Sequence, residues 1–418
     1  MERDYEKVVD DIYGLERFQE EVSLEPVRRA MEEIGRPQED FESVHVAGTN
    51  GKGSTATILS RVMEKYGVKT GLFTSPPLID FRERMEIDGE RISKGEVVSL
   101  YEEVSDLEVD LSFFEFITVM AFEHFSRQDV DVAVIETGMG GRRDATNVID
   151  PELSVITNVS EEHTEWLGHT EEEIAQDVAG VIKEQTPVVT GAEGEAMEVI
   201  EDVAGRKEAP IYKVCGPLPK VPDTSLALTL EMDGGRVETG LVGRYQSENV
   251  ATVLEALDVL DRDVSRVMVK EVLEQVRLEG RMELVSQEPL VLLDGAHNPA
   301  AVKKLPGTLE EVDGGETVAA VSIMRDKDYE RMLSVIEEFA DYIVLSEAEI
   351  ERSERAEELE SCIGSVGSTV TDSATDAVEI VEESLSPEDT AIFTGSLYFV
   401  GDVKEVLEDE HSFNSSRT

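Results

Sequence analysis

The sequence predicts an α/β protein of two domains, and three observations carry that prediction. Apolar strands alternate with amphipathic helices along most of the chain, one strand-to-helix turn is a run of glycines around a lysine, and a fresh strand–helix series starts near Glu283. Alternation of this kind builds a mostly parallel sheet covered on both faces, with ligand sites at the carboxyl ends of its strands. The expected division is a larger domain over 1–285, carrying the glycine-rich turn, and a smaller Rossmann-like domain over 286–418.

Residues 5–40 read as two helices, the second being Leu24–Ile34, with Ser23 as its cap, Pro26 in its first turn and Gly35 at its end. Val44 and Val46 then alternate as in a strand, and Ser54–Tyr66 reads as a helix with Ile58, Leu59, Val62 and Met63 at helical spacing. Between them lie Gly48, Thr49, Asn50, Gly51, Lys52, Gly53, Ser54 and Thr55. The glycines bare backbone N–H groups, the helix dipole faces the same anion, and Lys52 adds a full positive charge, so the turn describes a phosphate cradle. The P-loop pattern G-x-x-x-x-G-K-[ST] is met only in part, since Val46 stands where its first glycine belongs and Gly53 where its hydroxyl belongs. The plainer reading is a glycine turn that binds nothing.

Further strands are expected at Lys69–Thr74, Asp131–Thr137, Leu153–Val159 and Pro187–Gly191, with helices at Phe113–Arg127 and Thr170–Lys183. Leu226–Val242, split by Asp233-Gly-Gly235, alternates as a hairpin, and Gln246–Leu260 and Val264–Val276 follow as helices. The second series gives strand Leu290–Leu293, helix Ala300–Glu311, strand Val318–Ser322, helix Tyr329–Ala340, strand Tyr342–Leu345, two more helices and strand Thr390–Thr394. The last eight residues read as a frayed end.

Charge narrows the function classes. With 92 acidic and 38 basic residues the formal net charge is −54. Such a surface repels itself in dilute buffer, whereas molar salt shortens the screening length to roughly 3 Å, so a salt-loaded cytoplasm is the expected setting. Nucleic acid and anionic membrane are excluded as partners, because counterion release needs basic residues. A disordered acidic chain is excluded too, since hydrophobic residues make up 40% of the sequence and their periodicity persists. Cys215 and Cys362 are too few for a disulfide framework or a zinc site. No signal-peptide profile opens the sequence and no apolar run approaches about 18 residues, which makes a cytoplasmic protein the expectation.

Several strand ends carry candidate chemistry. Glu136 closes an apolar strand beside a glycine turn, where a phosphate-bound Mg²⁺ would find a hard oxygen ligand; a solvated loop acid is the alternative. His163 falls just past another strand, open to a metal role or a structural one. Asp294, in Asp294-Gly-Ala-His-Asn-Pro299, could accept from a ribose hydroxyl, with His297 or Asn298 orienting a substrate. Equally, Asp294 or Asn298 could only cap the helix that starts at Pro299. Arg281, at the domain junction, reads either as a phosphate contact or as a surface cation.

Lined up in order, these segments resemble the folylpolyglutamate synthase and dihydrofolate synthase family of Mur-type ligases over nearly the whole chain. The shared motifs are His45-Val-Ala-Gly-Thr-Asn-Gly-Lys-Gly-Ser-Thr55, Thr74-Ser-Pro76 with Glu83-Arg84, Phe113-Phe-Glu115, Glu136-Thr-Gly-Met-Gly-Gly-Arg-Arg-Asp-Ala-Thr-Asn147 and His163-Thr-Glu-Trp-Leu-Gly168. Gly243-Arg-Tyr-Gln-Ser-Glu-Asn249, Asp294-Gly-Ala-His-Asn-Pro299, Asp326-Lys-Asp328 and Gly395-Ser-Leu-Tyr398 complete them. The resemblance implies a Mur-ligase-like P-loop ATPase domain followed by a glutamate-ligase domain, with ATP lying between the two. It implies that Gly51 to Ser54 hold the phosphates, that Ser75 and Glu136 ligate one Mg²⁺, and that His163 helps hold a second. Asn249, Arg281 and Asp294 would complete the nucleotide site, and Ser112, Phe113, Phe114, Glu115, Arg143, Asp144 and Ala145 match positions that contact the pteroate. K⁺ is a further cation expected of the salt-loaded setting.

Two departures from the family stand out. Ser75-Pro-Pro-Leu78 lacks a histidine that the family usually has after its Ser-Pro, and in Asp177-Val-Ala-Gly-Val181 Val178 replaces a lysine that is normally carbamylated and steadies the second metal. Asp177 is no simple substitute, because neighbours on a helix point about 100° apart. Either His163, phosphates and water hold that metal, or another acid such as Glu162 contributes.

The expected reaction is ATP-dependent ligation of L-glutamate to dihydropteroate or a reduced folate through an acyl phosphate, by a monomer. Lys52, Glu136, His163 and Arg281 are the expected catalytic groups. A Mur-type ligase acting on a cell-wall nucleotide is one rival, against which residues 1–42 are too short for a UDP-binding domain. A nucleotide-hydrolysing switch is another, and it would release ADP without needing glutamate.

Overall fold

Strand β1 (Glu42–Ala47) is buried from Ser43 onward and sits inside the sheet that organises the larger unit. The computed structural model describes residues 4–16, 23–220, 226–232, 235–262, 264–310 and 315–410. After β1 come β2 (Thr70–Phe73), β3 (Met85–Ile87), β4 (Glu90–Arg91), β5 (Val132–Glu136), β6 (Leu153–Ile156), β7 (Val188–Thr190) and β8 (Ile211–Lys213). They form an eight-stranded sheet in the order β4-β3-β2-β5-β1-β6-β7-β8, parallel except where β3 pairs with β2 and β4. The chain leaves β1 for β2 on one side and takes up β6 on the other. The carboxyl end of β1 is therefore a topological switch point, where such sheets bind ligands.

Apolar burial fixes this unit. The helix Phe113–Arg127 sends Phe116, Ile117, Val119, Met120, Phe122 and Phe125 into the core, each fully buried phenyl contributing roughly 1.5–3 kcal/mol. Gly71 of β2 admits the Phe125 ring, since a Cβ there would lie 3.0 Å from Phe125 Cδ1. The helix Lys52–Tyr66 begins and ends on left-handed glycines, Gly51 at φ 81° and Gly67 at φ 93°.

The remaining strands are β9 (Ala227–Met232), β10 (Gly235–Val242), β11 (Arg281–Gln287), β12 (Leu290–Asp294), β13 (Thr317–Val321), β14 (Tyr342–Leu345), β15 (Gly367–Val370) and β16 (Thr390–Thr394). β9 and β10 are an antiparallel hairpin, and the rest make a six-stranded sheet, β11-β12-β16-β13-β14-β15, parallel apart from the β11–β12 pair. Residues Met1–Leu218 with Ser247–Val272 make one compact unit, and Pro219–Gln246 with Leu273–Thr418 the other. The hairpin thus groups with the C-terminal sheet, an arrangement that the single linear cut near 285 does not anticipate.

Three expected helices are clearly shortened: Tyr329–Ala340 stops at Ile336, and the other two have a plain physical reason. Thr170–Lys183 is a helix only over Glu171–Val178 and tightens to a 3-10 turn at Ala179–Val181, where the Asp177 carbonyl accepts from Arg142 N at 2.8 Å instead of continuing the ladder. Ala300–Glu311 is broken into Pro299–Val302 and Pro306–Leu309, since Pro306 brings no N–H. Helix Glu25–Glu33 takes Leu24 rather than Ser23 as its cap residue, although Ser23 Oγ still accepts from Glu25 N at 3.4 Å. The expected frayed end and the Asp233-Gly234 turn lie outside the described residues.

Candidate active site

The turn after β1 is held from below by the segment after β6. Thr49 N donates to the Asn158 carbonyl at 2.9 Å, Asn50 N to Asn158 Oδ1 at 3.0 Å, and Asn158 Nδ2 and Thr157 Oγ1 each donate to the Asn50 carbonyl at 2.8 Å. Thr49 Oγ1 closes the brace by accepting from Ser160 N at 2.9 Å. Gly48 is required here, because its φ is 131° and a Cβ would lie 2.2 Å from Thr157 Oγ1. Gly51 leaves room for Asn249, whose Oδ1 a Cβ would approach to 2.3 Å. Lys52 Nζ donates to the Gly48 and Thr49 carbonyls at 3.0 and 3.2 Å, folding the cation back over the loop. Ser54 and Thr55 are buried in the first turn of the helix that follows. Thr157, Asn158 and Ser160 had no signal in the sequence beyond a polar run after a strand.

Glu136, at the end of β5, is 3% exposed, and its Oε2 accepts from Ser75 N at 2.9 Å. Gly53 faces that carboxylate, and a Cβ on it would lie 3.3 Å from Oε2 and 3.5 Å from Oε1. The glycine therefore leaves the buried carboxylate free of a side chain where the phosphate turn passes it, and a carboxylate is the hard oxygen donor that a divalent ion of the Mg²⁺ type takes. His163 caps the short helix Thr164–Leu167 at φ 52°, with Nε2 3.8 Å from Glu162 Oε1. Among the described residues no three His, Cys, Asp or Glu side chains gather as a metal cluster, so the remaining ligands would come from phosphate oxygens and water.

The Gly138–Asn147 loop is clasped to the end of helix Glu171–Val178. Asp177 Oδ1 accepts from Gly141 N at 3.1 Å, and Oδ2 lies 3.5 Å from Arg142 Nε and 3.8 Å from Arg143 Nε. Gly180 lets the two backbones touch, since a Cβ would lie 2.4 Å from Arg142 Cα. Val178 is 1% exposed and belongs to an apolar cluster with Ile174, Ala175, Val181 and Ile182. Arg143 Nη2 donates to the Trp166 carbonyl at 3.2 Å, and Ala145 is buried. Asp144 is buried and accepts from Met139 N, Thr146 N and Thr146 Oγ1, at 2.9, 3.0 and 2.5 Å. Burial pushes its carboxyl above the usual range, and the Thr146 hydroxyl pulls it partly back. Thr146 Oγ1 also meets His45 Nε2 at 2.8 Å, and burial holds the His45 imidazole down at about 3, hence neutral.

Ser112 and Glu115 form a capping box: Glu115 Oε2 accepts from Ser112 N at 2.7 Å and from its hydroxyl at 2.6 Å. Phe114 lies against Gly138, where a Cβ would come within 2.5 Å of its ring, and Phe113 stacks on Tyr13 at 5.5 Å. The phosphate turn, Ser75, Glu136, Ser112–Glu115, Arg143–Ala145 and Asn249 are thereby linked through direct neighbours within one unit.

In the other unit Arg281 and Asp294 are paired across β11 and β12. Asp294 Oδ2 accepts from Tyr245 OH at 2.7 Å and Oδ1 from Ala296 N at 2.9 Å. Burial raises the Asp294 carboxyl above its ordinary range, while Tyr245 and the Arg281 charge oppose that shift; burial beside Asp294 raises the Tyr245 phenol as well. Asn298 Oδ1 caps helix Pro299–Val302 by accepting from Ala301 N at 2.8 Å, and His297 Nδ1 meets the Gly295 carbonyl at 2.8 Å. Tyr245 was not singled out by sequence, since only the fold sets it beside Asp294.

A phosphate turn at the switch point of one α/β unit, and in a second α/β unit a buried Asp294 held by Tyr245 beside Arg281, fit the Mur ligase class. Residues 46–257 match the Mur ligase middle domain and 280–397 the Mur ligase glutamate ligase domain. The dihydrofolate synthase/folylpolyglutamate synthase of Bacillus subtilis is 32% identical, over 95% of this chain and 97% of its own. A probable bifunctional folylpolyglutamate synthase/dihydropteroate synthase of Haloferax volcanii is 34% identical over 96% of the chain, which spans about half the length of that relative. The Yersinia pestis bifunctional folylpolyglutamate synthase/dihydrofolate synthase complexed with AMPPNP and Mn ion superposes with a TM-score of 0.87 at 29% identity, covering 98% of each chain. The chain belongs to the dihydrofolate synthase/folylpolyglutamate synthase family.

Proposed function

We propose that this protein joins L-glutamate to dihydropteroate, to reduced folates or to both, using ATP and a divalent ion. The observation that carries the reading is the Gly48–Thr55 turn with the Glu136 carboxylate facing it across Gly53 and held there by the Ser75 N–H. The substrate carboxylate attacks the γ-phosphate of ATP in line, giving an acyl phosphate and ADP, and the glutamate amine then displaces phosphate to leave the amide. Lys52 releases its two carbonyls to meet phosphate oxygens, the amides of the turn donate to the same charge, and Arg281 and Asp294 engage the nucleotide. A divalent ion held by Ser75 and Glu136, with His163 serving a second one, would neutralise phosphate charge. Arg143 and Ala145 would contact the pteroate on a loop that Asp144 shapes, with Ser112, Phe113, Phe114 and Glu115 opposite and His297 orienting glutamate. Residues 1–285 would carry the phosphate turn and the metal ligands, and residues 286–418 the glutamate-ligase chemistry together with Asp294 of the nucleotide site. The B. subtilis and Y. pestis relatives and the glutamate ligase domain match support this reading, and the acidic composition supports a monomeric, cytoplasmic enzyme of a salt-loaded cell. Among the described residues no helix is long and apolar enough to cross a membrane.

Mass spectrometry of products tests it. Incubation at molar KCl with Mg-ATP, glutamate and either dihydropteroate or tetrahydrofolate should yield a product heavier by one glutamyl residue, with ADP release that requires both acids. ADP release indifferent to glutamate would refute it.

A further inference from the structure

Arg84 ends the 3-10 turn Phe81–Arg84 and is 4% exposed. Its neighbours are paired in the ordinary way, Arg82 with Asp80 at 2.5 Å and Arg91 with Glu83 at 3.5 Å. Arg84 is different. Among the described residues it makes no ion pair, and its buried Nε has no hydrogen-bond partner. Its guanidinium carbon lies 5.2 Å from the centroid of the Phe113 ring and 5.9 Å from that of Phe81. In a chain with 92 acidic residues against 38 basic ones, an acid partner is the easiest thing to supply. A buried cation without one is costly, and aromatic faces offset only part of that cost. The fork of planar donors is shaped for a carboxylate, taken bidentately.

The position is specific. The Arg84 carbonyl accepts from Thr74 N at 3.1 Å, next to Ser75, which holds Glu136. Its side chain reaches Phe113, one of the residues proposed above to meet the pteroate. We propose that Arg84 recognises a carboxylate of the pteroate or folate substrate, and that Phe81 and Phe113 hold its guanidinium ready for it. This rests on the proposed function, and it adds the residue that selects for an acid.

Fluorescence titration of the full chain at molar KCl tests it with two probes, dihydropteroate and 6-hydroxymethylpterin, the second sharing the ring and lacking a carboxylate. Arg84→Gln should weaken dihydropteroate binding by at least about tenfold while leaving the pterin alcohol and the KM for ATP unchanged. Arg84→Lys, which keeps the charge without the fork, should recover part of the loss. An unchanged ratio between the probes overturns the proposal, as does a rise in the KM for ATP in place of the loss of acid. So does an Arg84→Gln chain that no longer folds while Arg84→Lys keeps the wild-type ratio. Glutamate adduct formation by the wild type in the same preparation separates the two claims: its absence sinks the proposed function, whereas its presence with an unaltered ratio sinks only the role of Arg84.

Discussion

Lys52 and His45 lie seven residues apart on one strand and turn, and they do opposite things with charge. Lys52 spends its ammonium on the Gly48 and Thr49 carbonyls. Those bonds are weak enough to trade for phosphate oxygens, so Lys52→Ala should keep the fold and lose about 3 kcal/mol of transition-state stabilisation, a drop of roughly 10²-fold in single-turnover ADP formation. Near-normal turnover would remove Lys52 from the mechanism. His45 is buried without charge, its value held at about 3 against an ordinary 6.5. Between those values the unfolded chain binds a proton that the folded chain refuses, so the contribution is intact above pH 6.5 and is lost as pH falls toward about 3. His45→Gln, which can still bond Thr146, should make unfolding less pH-dependent than in the wild type by up to about 1.4 kcal/mol per pH unit in that window. Denaturant melts of both proteins from pH 7 to pH 4 check this, and parallel curves would contradict it.

At the scale of elements, what the sequence revealed depended on periodicity. Helix Phe113–Arg127 and strands β14 and β16 were legible to the residue, being strongly apolar segments with clear ends. β15 escaped notice because Gly367-Ser-Thr-Val370 is a half-buried edge with no apolar alternation, and β11 because its pairing with β12 is irregular. Helix Lys94–Ser105 was missed although Ser93 and Glu96 form a capping box, a signal that sequence reading could have used. The candidate site divides the same way. The phosphate turn and Glu136 announce themselves by spacing, whereas the brace from Thr157, Asn158 and Ser160 and the Asp177 clasp exist only once strands are ordered. The clasp yields a prediction of its own. Gly180→Ala would drive a methyl to 2.4 Å from Arg142 Cα and should displace the Gly138–Asn147 loop. The KM for dihydropteroate should rise about tenfold while that for ATP holds, with a loss of about 1–3 kcal/mol in stability. Steady-state kinetics that move both constants together would show the clasp to be general scaffolding.

Over the whole molecule, the net charge of −54 makes stability depend on salt. Raising KCl from about 0.1 M to 1 M shortens the screening length from roughly 10 Å to 3 Å, so the thermal midpoint should climb steeply over that range. A midpoint independent of KCl would mean that the acidic surface is already balanced within the fold. The route of the chain has a separate outcome. It passes between the two compact units at 218/219, at 246/247 and again at 272/273. A protease that nicks one of these junctions therefore leaves the halves still strung together by the other two, and a gene cut once cannot express either half intact. Separating them would take rejoined segments.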